Sequence, residues 1–169
     1  MKKISLYSLV LLSMSISIMT SIECARRRDS SPVYTLGILE KDSKLLFLLR
    51  QNSKFFNDHY GLMGGTVEQQ ESVADALIRE AYEEIGITIT KDNLHFAHCL
   101  SFTNEKKEDI LALVFRITDW DIEPINNEPH KCTELAWFSP NELPENIRPR
   151  HRQIIEMVYN SIFYSEDGW

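Results

Sequence analysis

Apolar and polar residues alternate along the chain with two different periods, and these set out its elements. Residues 33–39 and 45–49 are short, nearly continuous apolar runs separated by Asp42-Ser43. Such runs, bounded by turn residues, predict two buried strands joined as a hairpin. Residues 55–59 predict a loop, and Gly64-Gly65 a further loop whose backbone can approach a phosphate or a metal. The period then lengthens. Ala74, Ile78, Ala81 and Ile85 recur at the spacing of one helix face and predict an amphipathic helix with that stripe inward. Ser72 is suited to its N-cap, Asp75 stands three residues on, and Gly86 occupies the usual C-terminal glycine position. Alternation returns over residues 93–102, where Leu94, Phe96, His98 and Leu100 interleave with His95, Ala97 and Cys99. A polar hairpin loop (103–108), a strand (110–117), a polar loop (119–127) and a last strand (134–138) follow. Ser139-Pro140-Asn141-Glu142 predicts a short helix, stopped at Pro144. Ile147, Ile154, Ile155, Val158 and Ile162 predict a closing helix over residues 147–164.

Strands, helix, strands and helix in this order imply an α/β fold, a mixed sheet with helices on both sides, over residues 32–169. Residues 1–31 stand outside the pattern. Lys2-Lys3 precedes an uncharged, largely apolar run from residue 4 to residue 22, which is the layout of a secretory signal. Glu23 spoils the cleavage site after Ala25, and Arg26-Arg27-Arg28 opposes translocation. Serines make the run a weak membrane span, and Met14 and Met19 offer later starts. Three readings stay open: export with loss of residues 1–25, a cytoplasmic chain with a later start or an unprocessed leader, and an anchor.

Composition narrows the class. The chain has 169 residues, 43% of them hydrophobic, enough for one domain with a real core. Its net charge of −7 argues against a protein that grips a nucleic-acid polymer by its phosphates. A small phosphorylated partner stays open, because a bound cation can supply local positive charge. Nothing in the domain asks for stable membrane association, and the oligomeric state is open. Cys24, Cys99 and Cys132 show neither CxxC nor zinc spacing. Cys99 and Cys132 read as buried thiols in strands.

The chemistry is concentrated on the first helix. Glu80, Glu83 and Glu84 lie three and four residues apart and so share one patch. Like charges at that spacing repel by about 0.2–0.5 kcal/mol per pair. A hard divalent cation reverses the sign, since Mg²⁺ takes oxygen ligands and needs few from protein.

Gly65, Glu71, Arg79-Glu80, Glu83-Glu84 and Gly86-Ile87, with five residues between the first two and seven between Glu71 and Arg79, resemble the Nudix box. Ala81 stands where the family more often has a larger aliphatic residue, and Met63 where it commonly has Pro. Thr66 replaces a frequent His. The resemblance covers residues 32–169 and implies an α/β/α sandwich with a mixed β-sheet. It implies a Mg²⁺-dependent hydrolase, with Mn²⁺ as a possible substitute, acting on a small nucleotide substrate. Glu80 and Glu84 then become metal ligands and Glu83 a further one, while Arg79, held by Glu71, positions them. The Gly64 carbonyl can add to the metal, Gly64-Gly65 can meet substrate, and Arg50, after the second strand, resembles a position that meets substrate phosphate. Glu128, in the loop before residues 134–138, resembles an additional acid near the metals, with Glu105, Glu108 and Asp109 as competitors. The general base stays undecided among Glu80, Glu83 and Glu128. A nucleoside triphosphate split to monophosphate and pyrophosphate is the first substrate expectation, and ADP-ribose or another nucleotide sugar the second. A non-catalytic nucleotide-binding module and an isoprenoid diphosphate isomerase are the rival classes.

Overall fold

The structure, a computed structural model, describes residues 31–168 apart from Glu105, so the expectations for residues 1–30 and for Glu105 lie outside the described residues. Strand β1 (Val33–Lys41) is the centre. It pairs in parallel with β6 (Asp109–Ile117) from Val33↔Leu111 to Leu39↔Ile117, and antiparallel with β4 (Met63–Thr66). Only its end reaches β2 (Lys44–Arg50), through Glu40↔Leu45 and Lys41↔Lys44. The expected hairpin is there, but its strands part at once. β2 runs on antiparallel to β7 (Cys132–Phe138) and to the short β3 (Tyr60–Gly61). β5 (Leu94–Thr103) closes the other side against β6 and carries β8 (Tyr164–Asp167) in parallel at the edge. Parallel and antiparallel pairs coexist, so the sheet is mixed.

Helices α1 (Val73–Ile85) and α2 (Pro149–Tyr159) belong to different cores. Leu77, Ala81 and Ile85 of α1 cluster with Leu39, Leu46, Leu48 and Met63. Ile154, Ile155 and Val158 of α2 cluster with Leu36, Ile38, Phe47, Leu100 and Val114. Within β2 the assignment alternates, Leu46 and Leu48 to one helix and Leu45 and Phe47 to the other, as a strand buried on both faces requires. Each such side chain contributes about 1.5–3 kcal/mol of burial. The arrangement is the α/β/α sandwich expected from the sequence.

Six local expectations are corrected. The buried face of α1 is Ala76, Leu77, Ala81 and Ile85, while Ala74 and Ile78 are only partly covered. The helix is rolled by about one position, which turns Glu80 and Glu84 toward β4. Gly64-Gly65 is part of β4, not a loop, and Gly64↔Leu36 and Gly65↔Thr35 are its pairs. The alternation of β5 breaks at a bulge between Phe96 and His98, so Ala97 and His98 are both buried and Phe96 is exposed. Residues 139–142 make a turn closed by the Glu142 amide donating to the Ser139 carbonyl at 3.0 Å, not a helix. Finally, α2 is shorter than residues 147–164, and residues 134–138 are not the last strand. Ile147 lies in a bridge to Tyr60 before the helix, and Ser161 turns left-handed (φ 58°) after it. His98 fixes the segment beyond Ser161, with Nδ1 at 2.7 Å from the Ile162 carbonyl and Nε2 at 2.9 Å from the Ser165 hydroxyl. A partner distant in sequence, not local period, makes residues 164–167 a strand.

Candidate active site

The site is built on α1. The Ser72 hydroxyl accepts the Asp75 amide at 3.1 Å, which starts the helix, and Gly86 ends it with φ 69°. Between these caps Arg79 gathers the carboxylates. Its Nε donates to Glu71 Oε1 at 2.9 Å and its Nη2 to Glu71 Oε2 at 3.1 Å, a two-toothed grip. Nη2 also donates to the Thr66 carbonyl at 3.2 Å. Nη1 donates to Glu80 Oε1 at 2.7 Å and to Glu83 Oε2 at 3.2 Å. The guanidinium holds the Glu71 carboxyl below the usual range, helped by the Glu68 amide. Burial raises the Glu80 carboxyl, against the pull of Arg79. Glu83 is the most exposed of the group, with 48% of its side chain accessible.

Glu84 takes the inner position. Burial pushes its carboxyl up to about 8, and the charges of Glu80 and Glu128 push the same way, while the Gly64 amide, donating to Oε2 at 2.8 Å, opposes them. The two glycines of β4 make room for this. A Cβ on Gly65 would lie 2.2 Å from Glu80 Oε1. Gly64 has φ 132°, and a Cβ there would lie 2.1 Å from the Thr35 carbonyl oxygen. The Gly64 amide is therefore engaged with a carboxylate, so it does not offer itself as a free phosphate cradle.

Glu128 arrives from the other side. Its carbonyl accepts the amides of Lys131 (2.9 Å) and Cys132 (3.0 Å), and its Oε1 accepts Lys131 Nζ at 2.7 Å. The end of β2 clamps this turn. The Gln51 amide donates to the Lys131 carbonyl at 2.8 Å, Asn52 Nδ2 to the His130 carbonyl at 2.9 Å, and Gln51 Nε2 to the Pro129 carbonyl. Here a cavity of about 340 Å³ opens, with Glu84, Glu128, Arg50, Lys54 and Lys131 in its wall and Leu62 on its apolar side. That volume suits a nucleotide-sized ligand. Arg50 Nη2 donates to the Ser53 hydroxyl at 3.1 Å, and its buried Nε has no partner among the described residues.

The expected residues thus divide. Arg50, Glu84 and Glu128 line the cavity; Glu71, Arg79, Glu80 and Glu83 form the network beside it; Gly64 and Gly65 back the carboxylates. Glu108 and Asp109 sit in the β5–β6 hairpin, bonded to Asn104 and Thr103, and do not line the cavity. Lys54 and Lys131 are additions that sequence reasoning missed. Their only signal was a basic residue in each loop that flanks the predicted site.

Glu84, driven toward its neutral form by burial first and by the charges of Glu80 and Glu128 after it, stands among oxygen donors of the kind a hard divalent cation takes. Among the described residues, no three or more His, Cys, Asp or Glu side chains are gathered closely enough to hold a metal ion by themselves. Mg²⁺ commonly keeps several waters, so a complete protein cage is not required of the set.

A mixed sheet between two helices, with clustered carboxylates facing a cation-lined cavity, defines a hydrolase of phosphoric anhydrides. A family model described as NUDIX domain matches residues 31–158. An ADP-ribose pyrophosphatase of Methanocaldococcus jannaschii is 45% identical over 120 residues, covering 71% of this chain and 68% of that protein. The CTP pyrophosphohydrolase of Escherichia coli is 27% identical over 108 residues, 63% of this chain and 74% of that one. The crystal structure of a MutT NUDIX hydrolase from Burkholderia pseudomallei superposes with a TM-score of 0.68 at 26% identity, over 75% of this chain and 97% of that one. The chain belongs to the Nudix family and is one of its hydrolases.

Proposed function

We propose that the protein hydrolyses a nucleoside triphosphate to the monophosphate and pyrophosphate with the help of Mg²⁺, for which Mn²⁺ can substitute. One observation carries this reading: Arg50, Lys54 and Lys131 share the wall of a single cavity with Glu84 and Glu128. Three cations facing one small volume match a polyanionic chain better than the lower charge of a nucleotide sugar. Glu80 and Glu84, with Glu83 at the rim, would hold the divalent ion, which when bound neutralises phosphate charge and lowers the pKa of water. Arg79, locked by Glu71 and the Thr66 carbonyl, keeps these carboxylates together against their mutual repulsion. The cations of the wall grip the phosphate oxygens and orient the scissile anhydride. Glu128 lines the cavity and has Oε2 free of Lys131, and it takes the proton of the attacking water. Glu80 and Glu83 are poorer candidates, since both are held in the Arg79 network and neither lines the cavity.

ADP-ribose is the second reading, favoured by the 45% identity to a protein named for that activity. A panel of nucleoside triphosphates, ADP-ribose and nucleotide sugars, assayed with Mg²⁺ for released pyrophosphate and monophosphate, separates the two. Glu84→Gln keeps an acceptor for the Gly64 amide and should stay folded while losing activity on the order of 100-fold or more. Unchanged turnover in that variant rejects the assignment of the site.

A further inference from the structure

A second cavity, of about 250 Å³, lies outside the carboxylate cluster and is lined by Phe56, Arg148, Pro149, Arg150 and Asp167. Its arginines are in different states. Arg150 is satisfied: Nε donates to Asp167 Oδ2 at 2.9 Å, Nη2 to the Thr103 carbonyl at 3.2 Å, and the group lies 4.3 Å from the Phe102 ring centroid. Arg148 is not. Its guanidinium carbon lies 5.1 Å from the Phe56 ring centroid, and among the described residues the group makes no side-chain hydrogen bond or close ion pair, the charge of Glu84 acting on it only from a distance. It is partly buried, and burial together with the charge of Arg50 lowers its pKa to about 10. Partly burying Arg148 beside Arg50 and Arg150, with Asp167 already taken by Arg150, is unfavourable unless an anion pairs with it. An anion bound between these groups would complete the arrangement.

The position of Arg148 indicates which anion. Its Cδ would meet a Cβ on Gly61 at 3.2 Å, and Gly61 lines the first cavity with Arg50 and Glu84. Arg148 therefore stands in the partition between the two cavities. The loop after β2 spans the same partition, with Ser53 and Lys54 in one wall and Phe56 in the other. Asn52, Phe56 and Asp58 all hold positive φ (52°, 56° and 57°). For a bulky residue such as Phe56 this is costly, and strain of that kind gathers at ligand sites. The main-chain amide of Arg148 donates to the Tyr60 carbonyl at 2.9 Å, which fixes its backbone independently of its side chain.

We propose that Arg148 and Arg50 form an anion subsite at this partition, which takes the phosphoryl groups that leave as pyrophosphate. That identification of the anion rests on the triphosphate reading above; the existence of the subsite does not. Arg148 would contact substrate through paired N–H donors, the arrangement that favours phosphate oxygens.

The test uses the full chain with inorganic pyrophosphate as the probe, by titration calorimetry in EDTA, so that no metal site takes part. Wild type should bind. Arg148→Gln should bind at least about tenfold more weakly, the factor that one charge-assisted contact supports. Arg148→Lys should fall between them, and Lys106→Gln, which removes an exposed cation of the β5–β6 hairpin, should match wild type. With a nucleoside triphosphate, Arg148→Gln should raise KM by a similar factor and leave kcat nearly unchanged. Its Tm without ligand should be equal to or above that of wild type, because a buried unpaired charge has been removed; a structural arginine would give a lower Tm. Pyrophosphate affinity unchanged in Arg148→Gln overturns the subsite, as does a wild type that hydrolyses triphosphates yet binds no pyrophosphate in EDTA. Arg148-dependent binding without triphosphate hydrolysis leaves the subsite standing and rejects the triphosphate reading.

Discussion

His151 makes the acid stability of this protein predictable. It is 4% exposed, and its Nδ1 accepts the Leu62 amide at 2.8 Å, so the neutral ring carries its proton on Nε2. Burial, and then the positive charges of Arg148 and Arg50, hold its pKa well below 6.5. Protonation would also put a hydrogen where Nδ1 now accepts one. A base with a lowered folded-state pKa binds more protons in the unfolded chain, so its contribution is complete above the unfolded pKa and is lost as pH falls below it. The slope can reach at most about 1.4 kcal/mol per pH unit below pH ~6.5, one proton's worth, which caps the effect at about 2 kcal/mol between pH 7 and pH 5. His151→Asn places an oxygen acceptor near the Nδ1 position and does not titrate. Urea unfolding of both proteins in EDTA, at pH 5, 6, 7 and 8 and constant ionic strength, isolates the term, because other titrations cancel in the difference. The variant should be less stable at pH 8 through lost packing, and the gap should narrow toward pH 5 by up to about 2 kcal/mol. A gap that stays constant with pH would show that His151 does not titrate between these states, and would refute the reasoning.

Three further outcomes come from the geometry. Gly65→Ala puts a Cβ 2.2 Å from Glu80 Oε1 without straining the backbone, so Glu80 must swing away. Activity should fall on the order of 100-fold with the unfolding midpoint nearly retained. Gly86→Ala forces an L-residue into φ 69° and brings its Cβ 2.9 Å from Ile125 Cγ1; it should cost about 1 kcal/mol or more, read as a lower Tm. Arg79→Lys keeps the charge but loses the fork that grips both Glu71 oxygens while reaching Glu80 and Glu83. Turnover should drop about 10- to 100-fold, without recovery at higher Mg²⁺.

The sequence by itself determined what repeats locally. Helix α1, its Ser72 and Gly86 caps, and the clustering of Glu80, Glu83 and Glu84 follow from spacing along one chain segment, and the structure keeps all three. The longer strands β1, β2, β5, β6 and β7 were legible for the same reason, because a buried strand must be apolar wherever its partner lies, while the short β3, β4 and β8 were not. Pairing was not legible. Whether residues 134–138 end the sheet depended on His98 capturing Ile162 and Ser165, more than sixty residues away in the chain. The roll of α1 that turns Glu84 inward depended on Gly64 and Gly65 lying beside it in a strand. Tertiary structure alone decided that Glu128, Lys131 and Lys54 face Glu84 across one cavity, and that Arg148 stands unpaired beside it. Short-range periodicity encodes which face of an element is apolar. It carries no information on which distant charge that face will meet, and here those meetings shape the cavity beside Glu84.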